Sequence, residues 1–131
     1  MIHKITVDGQ FPNLNDYLQA ERVNIRGRHG GFTTRGNELK QRCQNMIMPQ
    51  IVTQLGKTKI KEPVVLHYHF FEPNKKRDLD NIASFFMKVF QDSMIKIHAL
   101  SNDGWANIKG FTCDFDTDKE HPRIVIEVEE V

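Results

Sequence analysis

Cysteine, tryptophan and long apolar runs are all scarce in these 131 residues. Each scarcity excludes something. Two cysteines, Cys43 and Cys113, stand far apart in the chain. They make neither a disulfide framework nor a metal-ligand pattern, which reads as reduced thiols of a cytoplasmic protein. No stretch approaches the roughly 20 apolar residues of a membrane helix, so no membrane partner is expected. The opening Met1-Ile-His-Lys-Ile-Thr-Val7 lacks the basic region and apolar core of a secretory leader. With 39% hydrophobic and 27% charged residues, the composition is that of a globular chain rather than a disordered or fibrous one. Its length fits one domain with a modest core.

Net charge is scarce too, at +1, which by itself argues against a polyanion partner. The distribution reverses that impression. Residues 22–77 hold twelve bases against three acids, a net of +9, whereas residues 78–131 hold five bases against eleven acids, a net of −6. The sign changes between Arg77 and Asp78.

The pattern predicts a strand over Met1–Val7, then a helix capped by Asn13 with Leu14, Tyr17, Leu18 and Ile25 on its inner side. Arg26-Gly-Arg-His-Gly-Gly-Phe32 cannot pack as a regular element. It reads either as a mobile connection or as a basic arm, with Arg26 and Arg28, that orders on phosphates. Thr33 or Thr34 caps a second helix with a Leu39, Cys43, Met46, Ile47 and Ile51 stripe, which Pro49 should kink or divide. Val64–Phe71 is a strand that is apolar on both faces and therefore central. His67 and His69 share one of those faces, and packing suits them better than a metal without a third ligand.

Leu79–Leu100 carries the strongest helical period, through Ile82, Phe85, Phe86, Val89, Phe90, Met94 and Ile97. Trp105–Thr112 and Arg123–Val131 read as two further strands around an acidic turn, Asp114-Phe-Asp-Thr-Asp-Lys-Glu120. Trp105 is expected to pack at the sheet, with base stacking as the alternative. The order implies a single compact α/β (α+β) domain, with a mixed sheet of about four strands packed with about three helices.

The chemistry concentrates in Lys75-Lys76-Arg77-Asp78-Leu79-Asp80-Asn81, between a central strand and a long helix. Asp78 and Asp80 can point to one side and share a hard cation such as Mg²⁺ or Mn²⁺, with the bases holding phosphates against it. The plain alternative is a helix cap, which one Asp would satisfy. Asp114-Phe-Asp116-Thr-Asp118 is a control: it lacks the turn glycine and terminal Glu of a calcium loop, and reads as a solvated hairpin turn.

Lys76-Arg77-Asp78-Leu79-Asp80-Asn81 before a helix, with Asn102-Asp103 before a strand, resembles the RusA family of Holliday-junction resolvases. The resemblance covers Lys75 to Trp105. It implies a homodimeric, Mg²⁺-dependent (Mn²⁺ as the substitute) crossover-junction endonuclease that cuts branched DNA in recombination and repair. It also implies action in the cytoplasm of a bacterium or a phage-infected cell. Asp78, Asp80 and Asp103 would be the metal-binding catalytic carboxylates, and Arg26, Arg28, Lys75, Lys76 and Arg77 would bind DNA.

Two departures stand out. The family usually has a catalytic lysine one turn after the second Asp, where this chain has Ser84. Lys88, two turns from Asp80, is a candidate for that role, and Lys76 is the alternative. The stretch up to Asp103 is also about one turn longer than the family pattern. A straight helix to Leu100 would span roughly 33 Å, leaving Asp103 too far from Asp80 in the same chain. Either the helix breaks early, or Asp103 is supplied by the partner subunit.

Overall fold

The computed structural model describes residues 1–26 and 30–131. Arg28 lies outside the described residues. The first strand, β1 (Ile2–Asp8), pairs antiparallel with the last, β6 (Arg123–Glu130). β6 in turn pairs antiparallel with β4 (Val64–Glu72), and β4 pairs in parallel with β5 (Ile108–Thr117). The result is a mixed sheet in the order β1-β6-β4-β5, with β4 inside as its sequence predicts. A two-stranded hairpin of β2 (Asn24–Arg26) and β3 (Phe32–Thr34) stands apart from it.

Strand alternation decides which side of the sheet is covered. Ile5 and Val7, Val64, Leu66, Tyr68 and Phe70, and Ile124, Ile126 and Val128 are buried. They meet the apolar stripes of α2 (Arg35–Leu55) and α3 (Leu79–Lys96). Phe11, Phe70, Phe86, Phe90 and Tyr68 interlock there at ring separations of 5.3–6.3 Å. The opposite side of the sheet is half-open, although β4 is central as its apolar faces predict. Val65, His67, His69 and Phe71 are only partly covered.

Helix ends follow local capping chemistry. Asn13 and Asp16 form a reciprocal capping box at the start of α1 (Leu14–Glu21), with bonds of 2.8 and 3.0 Å. Thr34 Oγ1 accepts from Asn37 N at 3.0 Å to start α2. Pro49 does not divide α2. It lies on an exposed face, next to exposed Asn45, whose carbonyl loses its helical donor. Three other sequence expectations also change: Leu18 and Met46 are exposed rather than inward, and Ile25 belongs to β2 rather than to α1. The described residues form a single compact α+β domain of three helices, a four-stranded mixed sheet and a small hairpin. Among the described residues no helix is long and apolar enough to cross a membrane.

Candidate active site

The turn from β4 into α3 is built on an ion pair. Glu72, the last residue of β4, is buried beneath the turn. Arg77 grips it with two bonds: Nε donates to Oε1 at 2.9 Å and Nη2 donates to Oε2 at 3.0 Å. Nη1 donates to the Phe11 carbonyl at 2.7 Å, tying the turn to the segment after β1. Gln10 adds a bond to Glu72 Oε1, and the Glu72 carbonyl accepts from Asp118 N at 2.8 Å. A forked guanidinium fits this bidentate role, as a lysine would not. The Arg77 guanidinium, expected at the DNA, is engaged here as an internal strut. Lys75 and Lys76 remain exposed beside it.

Asp78 follows at the N-cap of α3, and Asp80 falls in the first turn. Both are exposed. Unlike Asn13 and Thr34, Asp78 makes no side-chain capping bond. Asp80 Oδ1 accepts only from the neighbouring Asn81 N, at 3.0 Å. Among the described residues neither carboxylate has an ion-pair partner, although three bases precede them. Two acids stand at the positive end of a helix, free to receive a cation or a donor from outside.

α3 stops at Lys96, with Ile97 as its C-cap. His98 adopts a positive φ of 62°, and Ala99 N and Leu100 N both donate to the Met94 carbonyl. The chain thus reverses, and the early break replaces the straight helix to Leu100. That removes the premise on which Asp103 was to come from a partner subunit. Within this chain Asp103 Oδ2 meets Lys88 Nζ at 3.2 Å, and the same Nζ lies 3.2 Å from Asp92 Oδ1. Partial desolvation lowers the Lys88 pKa, but the bonds to Asp103 and Asp92 outweigh it and leave the ammonium above its ordinary value.

Lys88 stands about 12 Å along the helix from Asp80. Asp103 accordingly rests beside the middle of α3, and Asp78, Asp80 and Asp103 are not gathered. No group of three potential ligands is assembled among the described residues. The donor chemistry of Asp78 and Asp80 fits a hard divalent ion, whereas Asp103 is engaged by Lys88. Ser84 cannot stand in for a lysine, since its Oγ folds back to donate to the Asp80 carbonyl at 2.6 Å.

Three features escaped the sequence reading. Glu62 organises the Asp103 loop: its carboxylate accepts from Ser101 N (3.1 Å), Ser101 Oγ (2.8 Å) and Asn107 Nδ2 (3.2 Å). Desolvation opposes its ionisation, but these bonds prevail and hold the carboxyl below its ordinary pKa. Asp92 bridges Lys88 to Lys40, the latter at 3.8 Å. A groove of about 880 Å³, lined by Arg26, Lys40, Arg42 and Lys96 among others, runs between the hairpin, α2 and α3, with Asp92 in its wall. Only three-dimensional placement joins these distant bases. Arg26 lines this groove together with Lys40, Arg42 and Lys96.

His67 and His69 are not core residues. They face the open side of the sheet, where His67 meets Thr112 (2.7 Å) and Glu129 (3.2 Å) and His69 meets Asp116 (2.6 Å). Trp105 does not pack at the sheet either. It is 95% exposed, in a turn ahead of β5, which begins only at Ile108. No family model matches the chain, and no curated protein matches it.

Proposed function

We propose that this protein is a metal-dependent endonuclease that hydrolyses phosphodiester bonds in branched DNA, four-way junctions above all, as the RusA resemblance implies. One observation carries the reading: Asp78 and Asp80 are exposed and have no ion-pair partner among the described residues, beside exposed Lys75 and Lys76, at the carboxyl end of a central strand. Such strand ends are where α/β sheets hold ligands. A bound Mg²⁺ or Mn²⁺ would supply Lewis acidity and an acidified water at neutral pH. Asp78 and Asp80 would hold that ion, and Asp103 would join them only on leaving Lys88. Lys88, once released, would be free to contact a phosphate oxygen. Lys75 and Lys76 would position the backbone at the site, while Arg26, Lys40, Arg42 and Lys96 hold a flanking stretch in the groove. A homodimer would present two such centres to opposed strands.

A second reading is favoured by the Lys88–Asp103 pair and by Ser84: a structure-selective DNA-binding protein that does not cleave. A third differs only in substrate, with flaps, forks or RNA in place of four-way junctions. Nicking of a synthetic four-way junction, with and without Mg²⁺, tests the first reading. Cleavage that needs the metal and vanishes in Asp80→Asn, with binding retained, is the expected result. Binding without cleavage under Mg²⁺ or Mn²⁺ would select the second reading. Preference for another substrate would select the third.

A further inference from the structure

We propose that Trp105 is a stacking platform for a nucleobase exposed at a break in a nucleic acid's base stack, such as a junction centre or a strand end. The inference rests on the nucleic-acid reading above. Trp105 is the chain's sole tryptophan, and 95% of it is exposed. Its neighbours Gly104 and Ala106 are small, so neither carries a large side chain to cover the ring.

The turn that presents it is held at both ends. Asn107 N and Ile108 N both donate to the Gly104 carbonyl at 3.0 Å. Asn107 Nδ2 bonds to Glu62 and, at 3.1 Å, to Ser101 Oγ, while Glu62 also holds Ser101 N. Both flanks are therefore fixed before any ligand arrives, which reduces the ordering cost of binding.

Its surroundings select the ligand. Two residues before Trp105, Asp103 pairs with Lys88, Lys88 pairs with Asp92, and Asp92 lines the groove that carries Arg26, Lys40, Arg42 and Lys96. An exposed aromatic face joined through Asp103, Lys88 and Asp92 to a groove carrying four bases matches a base attached to its phosphate backbone, since stacking and phosphate contacts act together on such ligands. The indole would read structure rather than sequence, because every base has a π-face and a continuous duplex hides it.

With one tryptophan, emission excited at the red edge, where the two tyrosines do not absorb, reports on this position alone. A four-way junction should quench the emission more than a linear duplex with closed hairpin ends. Trp105→Ala should weaken junction binding by about tenfold, and Trp105→Phe should retain most of it. Junction binding in a gel shift, with unchanged fluorescence and an unaffected Trp105→Ala protein, would overturn the stacking role while leaving the nuclease reading intact. A concentration-dependent blue shift without DNA, together with self-association that Trp105→Ala abolishes in a sedimentation measurement, would assign the indole to a protein contact and overturn it too. Failure of the wild-type protein to bind any nucleic acid would overturn both.

Discussion

Two Asp-x-Asp runs occupy this chain, and their fates differ. In the run from Asp114 to Asp118, Asp116 meets His69 at 2.6 Å and Asp118 meets Arg123 at 2.7 Å. Asp118 also accepts from Glu120 N and His121 N, closing the turn into β6. Its bond to Arg123, aided by those backbone donors, keeps the Asp118 carboxyl below its ordinary pKa. Among the described residues Asp78 and Asp80 have no ion-pair partner, although Lys75, Lys76 and Arg77 directly precede them. Arg77, the base next to Asp78, turns inward to Glu72 instead. On the nuclease reading proposed above, what would mark the reactive run is the bonding capacity it keeps, more than its number of carboxylates.

Removing the strut beneath the unengaged run should break the contrast most strongly. Glu72→Ala leaves Arg77 without its partly buried partner and should cost about 3 kcal/mol, read as a lower midpoint in urea unfolding. A loss below about 0.5 kcal/mol would mean that the pair does not support the turn. Lys88→Ala sharpens the comparison at the other end of the site. It should lower junction nicking about tenfold through a lost phosphate contact, while changing stability by under about 0.5 kcal/mol, because the ion pair is exposed. Faster nicking would instead make Lys88 a pure restraint on Asp103.

The smallest expected effect is on pH dependence. Glu62 has a folded-state pKa below its unfolded value of 4.5. Its contribution is therefore complete above that value and fades as pH falls through the lower folded one. Glu62→Gln should lower stability at neutral pH and leave it nearly unchanged well below about pH 4.5, so that the acid limb of the stability profile flattens. An identical acid limb in wild type and variant would remove Glu62 from its place as organiser of the Asp103 loop.

Much of this architecture was legible because it obeys simple periods. The 3.6-residue stripe located α3, the alternation in Val64–Phe71 located β4, and Asn13 and Thr34 marked true helix starts. The same period overran the end of α3. Ile97 packs on the core at the helix C-cap and Leu100 is buried after the chain has turned at His98, so apolar spacing continues where the helix does not. The short strands β2 and β3 flank a glycine-rich segment and are too brief to show alternation. β5 extends to Thr117, so Asp114 and Asp116 lie in a strand rather than in the expected turn. Charge was the least decodable feature. Arg77 and Lys76 are adjacent and alike in formal charge, yet one is tied to a buried carboxylate from the preceding strand and the other is exposed.

The claim that the unengaged run is the reactive centre is tested most directly by comparing Asp80→Asn and Asp116→Asn in one assay. Both proteins would be titrated with a synthetic four-way junction, and nicking measured in Mg²⁺ at saturating DNA. The account predicts at least about a hundredfold loss for Asp80→Asn, with junction affinity retained, and near wild-type nicking for Asp116→Asn. Equal losses in both variants, or full nicking by Asp80→Asn, would contradict it.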